Sequence, residues 1–446
     1  MGVHHGPLYA KTSKGLRYDI FYSNKKINVT FLSAAVLCLN STKQQHLKMH
    51  LIAALYSMTK FGGVMNFLFK FVATAFLICN STTLLSKESM SSIQNPAIQL
   101  LNNFSDSQSP GIQYIVANKN SIIFKHSVGL ADVESSTPLS MSHTLAGFSM
   151  TKTLTAIAIL QLVEHDKLGL DTPVIKYVNH PYDSNITIRQ LITHTAGLPN
   201  PIPLKWVHLA ENHHDFNEPE ALSHILNNHN KMESKPGASY EYSNIGYWLL
   251  GSVIESITEK SYSNYVIENI FKPLSLSPQE INFQILDEKK HAKGYLKKWS
   301  FMNLFGRFFI DNEILGEYEQ NWLHIKNNYL NGPSFGGVIG TSKALVHILQ
   351  DLLRDQSALL SPASKKLLYE QHEIEGEKID MTLGWHKGNL DGISYYYKEG
   401  GGAGFHGEMR IYPDVGIVSV LMTNRTSFNS RNNMSELDIL FIKHGI

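Results

Sequence analysis

The sequence predicts an α+β fold, with an antiparallel sheet divided between two distant parts of the chain and a helical lobe inserted between them. Two observations carry this. β-type runs stand near residue 112 and again after residue 393, and helical periodicity dominates the stretch between them. The third is size: 446 residues, 43% of them hydrophobic, suffice for one domain of about 300–350 residues, or two smaller ones, with a sizeable core.

A first helix is expected over residues 93–104. Residues 112–116 (IQYIV) and 122–124 (IIF) are β-branched and aromatic runs, and Asn118-Lys119-Asn120 between them is turn chemistry, so they read as a hairpin. From Ser149 the period becomes helical, with Leu154, Ile157, Ala158, Leu160, Leu162 and Val163 on a buried helix that ends near Gly169. Helices and long loops continue to about Arg354, including a helix over 245–257. Strands return at 393–397, 405–412 and 415–421, separated by Gly400-Gly401-Gly402 and by Pro413-Asp414. A last helix is expected over 436–443. A cleft between a sheet lobe and a helical lobe is a common place for a site.

The charge balance excludes some functions. With 39 basic and 38 acidic side chains and no basic stripe, nucleic acid is not an expected partner. Both cysteines, Cys38 and Cys79, precede the domain, which leaves it without a disulfide, a Cys nucleophile or a Cys-based zinc site. The 21 histidines form no HExxH pattern, so neither a metal nor any other cofactor is expected.

Residues 1–95 read as an N-terminal extension and 96–446 as the catalytic domain. The extension holds an apolar run, Phe71 to Cys79, preceded by Lys70 and followed by Asn80-Ser81-Thr82. That pattern suits an export signal, with Met65 as a candidate start, and the rival reading is an uncleaved membrane anchor using Phe61 to Cys79. Either way the protein is expected to be exported: periplasmic, extracellular or membrane-anchored.

Ser149-Met150-Thr151-Lys152 is an S-x-x-K motif at the start of a helical run. Residues i and i+3 share a helix face, so the amine can reach the hydroxyl. A serine needs a base to become a nucleophile, and a lysine serves only if desolvation or nearby positive charge lowers its pKa. The motif also occurs at Ser23 and Ser57, and Ser57-Met58-Thr59-Lys60 is the same tetrapeptide. Context separates them: Lys60 runs into Phe61-Gly62-Gly63, whereas Lys152 opens a long apolar-periodic helix. Tyr242-Ser243-Asn244 follows the turn Lys235-Pro236-Gly237 and feeds a helix, where a phenol can project into a cleft. The same pattern at Tyr262 lacks such a turn and reads as packing. K-x-G occurs five times, but only Lys398-Glu399-Gly400 follows a β run and leads into a glycine stretch. Glycines on a strand edge let a substrate backbone approach closely. The Gly401 N–H can then pair with the Ser149 N–H as an oxyanion hole.

In that order S-x-x-K, Y-x-N and K-x-G resemble the serine β-lactamase and penicillin-binding-protein family, in its class C β-lactamase, D-Ala-D-Ala carboxypeptidase and esterase branch. Ile186 to Leu198 is similar to that group's T-I-R-x-L-L-x-H-T-S-G-L stretch, Tyr242 to Gly251 to its Y-S-N-x-G-Y-x-L-L-G, and Phe335 to Ser342 to its A-G-G-L-x-S-T. The resemblance covers about Pro110 to Asn424. It implies the β-lactamase/transpeptidase-like fold: an antiparallel sheet flanked by helices, a helical lobe, and the active site in the cleft between. It implies Ser149 as the acylated nucleophile, Lys152 as its base, and Tyr242 as proton carrier to the leaving group and in deacylation. Asn244, Lys398, Glu399 and Gly400 would line the substrate, with Lys398 lowering the pKa of Tyr242 and Lys152. His194 and His406 would be structural. The middle residue of K-x-G is usually Thr or Ser in penicillin-recognising members. Glu399 here would repel an anionic substrate unless Lys398 neutralises it. The expected activity is hydrolysis of an ester or amide (a peptide, a β-lactam-like compound or a small ester) through a Ser149 acyl-enzyme. The alternative is a penicillin-binding or sensor module that acylates without turnover.

Overall fold

Six strands form one antiparallel sheet: β1 (Ile112–Asn118), β2 (Ile122–Val128), β3 (His386–Leu390), β4 (Ile393–Gly402), β5 (Phe405–Tyr412) and β6 (Ile417–Thr423). Their spatial order is β3-β4-β5-β6-β1-β2. The register of β6 on β1 runs from Ile417↔Asn118 to Thr423↔Ile112, so the final strand completes the sheet beside the first. This computed structural model describes residues 17–22, 25–30, 93–201, 205–300, 303, 310–426 and 428–443.

The chain divides into two compact units, Met1–Glu88 and Ser89–Ile446. In the first, the described residues form one antiparallel pair, Arg17–Tyr22 with Lys25–Thr30. The apolar segment Phe61 to Cys79, the candidate start Met65 and both cysteines lie outside the described residues. Among the described residues no helix is long and apolar enough to cross a membrane.

In the second unit both faces of the sheet are covered. Tyr114 and Val116 of β1 turn to one face, against α1 (93–104) and α5 (Ser430–Ile442), where Ala97, Leu101, Leu437 and Phe441 pack. Ile115 and Ala117 turn to the other, joining the main core with α2 (Thr151–Glu164) and α4 (Ser342–Leu353). Two-sided burial explains why β1 and β6 read as nearly continuous apolar runs rather than alternating ones. Beneath the first face lies a buried ionic network. Arg410 meets Glu408 at 2.5 Å and Asp438 at 3.3 Å, and Asp438 also accepts from Tyr114, Tyr412 and Ser419.

The helical lobe is built around α2, which buries residues all round from Thr151 to Leu162. α3 (Asn244–Thr258) packs beside it and starts where the Ser243 hydroxyl accepts from the Gly246 N–H, an N-cap.

Several boundaries differ from expectation. α2 stops at Glu164 rather than near Gly169, because Asp166 takes a left-handed backbone (φ 55°) and its N–H bonds to the Val163 carbonyl while Lys167 N–H bonds to Leu162. That is a Schellman stop built on Asp, so the glycine was not needed. The glycine run 400–402 does not separate strands; it is the end of β4, held by pairing with β5. Val415 and Gly416 belong to the turn before β6, whose Gly416 N–H returns to Tyr412. The last helix starts at Ser430, capped by Asn429, a full turn and more before the apolar period becomes visible. β3, with the sequence HKGNL, carries too few apolar residues to announce itself. A small sheet (Gly294–Lys297, Leu315–Glu319, Trp322–Ile325) stands where long loops were expected.

Candidate active site

Ser149 lies in the 3₁₀ turn Phe148–Met150 that leads directly into α2, and Lys152 follows on that helix. Because α2 is buried on every side, the Lys152 amine is fully withdrawn from water. Its Nζ stands 3.0 Å from Ser149 Oγ, 2.7 Å from Asn244 Oδ1 and 2.7 Å from the Phe335 carbonyl. The last two atoms can only accept. They take two N–H bonds of the amine and leave its third direction facing the serine. Burial, and then the nearby Lys398 charge, hold this amine well below the usual lysine value.

Tyr242 reaches the same oxygen from the loop that leads into α3: its hydroxyl donates to Ser149 Oγ at 2.9 Å. Burial raises the phenol above its ordinary value; the bond to Ser149 opposes this and the Glu399 charge adds to it. The expectation that Lys398 lowers the Tyr242 pKa is therefore corrected: desolvation dominates, and the phenol stays protonated. Lys398 points to the same spot from β4. Its Nζ is 5.1 Å from the centre of the Tyr242 ring, and among the described residues it has no hydrogen-bond partner. Burial pushes its pKa down to about 7, with Glu399 opposing.

Gly400 shows why the third motif ends in glycine. A β-carbon there would stand 2.1 Å from the Gly147 oxygen and 3.0 Å from the amide nitrogens of Ser149 and Met150. β4 thus lies directly against the nucleophile's backbone. β3 pairs with β4 only as far as His386↔Tyr397, so Lys398 to Gly402 form an edge with no strand beyond it. The two-residue turns Asp391-Gly392 and Ala403-Gly404 fix the phase of hydrogen bonding along β4. In that phase residues 398, 400 and 402 bond to β5, while Glu399 and Gly401 direct their main-chain groups to the open edge. A Gly401 N–H directed this way suits the oxyanion-hole expectation. Near the end of β4 a small hollow of about 20 Å³ is lined by Phe148, His291, Asn328, Leu330, Ala403 and Phe405.

Two expected substrate contacts also have protein partners. The Asn244 amide oxygen accepts from Lys152 and one Nδ2 hydrogen goes to Asn200 Oδ1 at 3.1 Å, so the residue holds the base and keeps its second Nδ2 hydrogen for another acceptor. Glu399 alternates away from Lys398 and Gly400 and turns its side chain to the α5 side of the sheet. There it meets His406 Nε2 at 2.7 Å, Ser430 Oγ at 3.3 Å and Arg431 at 3.5 Å. His406, the Arg431 charge and the Ser430 hydroxyl hold the carboxyl below its ordinary value, against burial. The groups that bond this carboxylate are therefore His406, Ser430 and Arg431, while Lys398 feels it only at longer range. Tyr262 is buried, with its hydroxyl on Thr155 at 2.8 Å, as a packing residue should be.

The β-lactamase family model matches residues 97–441. The chain belongs to the β-lactamase family. Among curated relatives, Protein flp of Staphylococcus aureus (strain NCTC 8325 / PS 47) is 29% identical over 192 residues, 42% of this chain and 38% of that protein. The chain thus spans well under half of that relative. Among solved structures, the octameric penicillin-binding protein homologue from Pyrococcus abyssi superposes with a TM-score of 0.64 at 20% identity, covering 79% of this chain and 77% of that one. The D-amino acid amidase from Ochrobactrum anthropi SV3, solved with D-phenylalanine, superposes with a TM-score of 0.63 at 17% identity, covering 79% and 99%. These likenesses give the β-lactamase/transpeptidase-like fold, as the motif order implied.

Sequence reasoning missed Asn200, which receives both the Asn244 N–H and its side-chain amide, and the Phe335 carbonyl on Lys152. Asn200 follows the H-T-x-G-L stretch by two positions, so its neighbourhood was marked although the residue was not. A main-chain carbonyl has no residue signature at all.

Proposed function

We propose that the chain is a serine hydrolase that cleaves an ester or amide through an acyl-enzyme on Ser149. The observation that carries this is the anchoring of Lys152. Two fixed acceptors, Asn244 Oδ1 and the Phe335 oxygen, bind two hydrogens of a buried amine whose remaining direction is Ser149 Oγ at 3.0 Å. A neutral amine so held presents its lone pair to the serine proton.

Ser149 Oγ attacks the carbonyl carbon while its proton passes to Lys152. The developing oxyanion is received by the N–H groups of Ser149 and Gly401. The bond to the leaving group then breaks, and the departing oxygen or nitrogen takes a proton from the neutral Tyr242 phenol, which Lys152 replenishes. Water attacks the acyl-enzyme, giving up a proton by the same route, and releases the acid and free Ser149. Lys398 supplies positive potential beside the reacting atoms. The substrate class is a small molecule or peptide.

The test is labelling by a fluorescent fluorophosphonate and a fluorescent penicillin, alongside Ser149→Ala, with turnover of p-nitrophenyl esters followed in parallel. Labelling lost in Ser149→Ala with ester turnover supports the hydrolase. Labelling that persists without turnover favours the acylating sensor, and absence of labelling by both probes overturns the reading.

A further inference from the structure

His194 stands next to the catalytic tyrosine in an arrangement that a space-filling histidine does not require. Its main-chain oxygen accepts from the Glu241 N–H at 2.7 Å, and its ring Nδ1 accepts from the Ser243 N–H at 3.1 Å. One residue therefore grips the chain on both sides of Tyr242. Its ring also lies against the Tyr242 ring, with centroids 4.3 Å apart, and meets Tyr247 and Tyr240 at 5.0 and 5.9 Å. The backbone of His194 is left-handed, φ 57°, an uncommon state for a non-glycine residue. That conformation lets its carbonyl and its ring face the same neighbouring loop.

Resting on the hydrolase reading above, we propose that His194 is the positioning residue that aims the Tyr242 hydroxyl at Ser149. The Tyr242 loop leaves the Lys235-Pro236-Gly237 turn without a strand or helix to hold it until Ser243 caps α3. The two bonds to His194 supply the missing constraint, and the ring contact fixes the tilt of the phenol. Because Nδ1 accepts, the ring proton sits on Nε2, which has no partner among the described residues. Burial, with Lys398, Lys152 and His386 nearby, keeps the ring neutral. His194 thus works as an acceptor and a wall, not as an acid or base.

Three variants separate this from a passive role. His194→Asn tolerates the left-handed backbone and carries an oxygen near the Nδ1 position. His194→Gly tolerates the backbone but offers no acceptor. His194→Gln places its oxygen near Nε2 instead. Fluorophosphonate labelling of Ser149 should stay within about threefold of wild type for Asn and fall about 10- to 100-fold for Gly and Gln, the range for losing a buried hydrogen bond. The pH profile of the Asn variant should match that of the wild type. On a Tyr242→Phe background, His194→Gly should cost nothing further. In crystals of His194→Gly the Tyr242 hydroxyl should leave its 2.9 Å contact with Ser149, a readout independent of any reaction.

Wild-type labelling by His194→Gly, or an unmoved Tyr242 in its crystals, overturns the proposal. So does an Asn variant as slow as Gly and Gln. If His194→Gly does not fold, Asn against Gln carries the same decision. Failure of the hydrolase reading itself is seen separately, as wild-type protein that Ser149-directed probes do not label.

Discussion

Replacing Gly400 by alanine puts one methyl group against the nucleophile's own backbone. The added carbon would start 2.1 Å from the Gly147 oxygen, whereas such atoms settle near about 3.3 Å. β4 and the turn holding Ser149 must therefore separate by roughly 1 Å. A displacement of that size at reacting groups costs about 100-fold in rate, equivalent to ~2.7 kcal/mol of transition-state stabilisation. Overpacking adds a stability loss of about 1–3 kcal/mol. The assay is the rate constant for fluorophosphonate labelling, with melting temperature measured on the same samples. Gly376→Ala is the control: it has a left-handed backbone (φ 85°) but no neighbour within 4 Å. It should lose about 1 kcal/mol of stability or more and label at the wild-type rate. Gly400→Ala labelling within about threefold of wild type would refute the argument that β4 abuts the nucleophile. So would an equal slowing in Gly376→Ala.

Lys398→Met removes a positive charge near Lys152, so the Lys152 pKa rises and the alkaline-going limb of the acylation pH profile moves to higher pH. In stability the sign is separate. With a folded pKa of about 7 against 10.5 for an ordinary lysine, Lys398 binds fewer protons folded than unfolded between those values, so wild-type stability relative to Lys398→Met rises as pH increases through that window; thermal melts from pH 7 to 10 check it. Glu399→Thr removes a half-buried carboxylate and frees Arg431, and labelling by a fluorescent penicillin should rise about threefold relative to a neutral probe, ~0.6 kcal/mol; an unchanged ratio would refute the reading that Glu399 disfavours an anionic substrate. Asp438→Ala leaves Arg410 buried with only part of its countercharge, and urea denaturation should register a loss of about 3–5 kcal/mol.

The juxtaposition of Ser149, Lys152 and Tyr242 was legible because each member sits where local chemistry is visible. Ser149 and Lys152 are one helical turn apart at the head of an apolar period, and Tyr242 stands between a Pro-Gly turn and a helix. What those side chains touch was not legible. Asn244 was expected to face substrate, yet its oxygen goes to Lys152, since only tertiary packing brings α3 beside α2. Glu399 was read by adjacency to Lys398, whereas strand alternation sends neighbours to opposite faces. That error followed from treating the glycine run as a loop. Had 398–402 been read as strand, the alternation would have been available from the sequence alone. The end of α2 failed for a related reason: Asp166 took the left-handed position that glycine usually fills.

The sheet order has a consequence in time. β6 and β5 join β1 to the paired edge of β4, opposite its open one, so the platform behind Ser149 stays incomplete until the strand ending at Thr423 has been inserted. Contacts between such distant parts of a chain form slowly, after large loops have closed. The N-terminal side of the domain must wait with its hairpin unpaired on one flank, while Lys398 and Gly401 arrive with the last strands. The surroundings of Ser149 are therefore complete only once β6 is in place. A chain truncated before Ile417 would keep the motif without the sheet behind it.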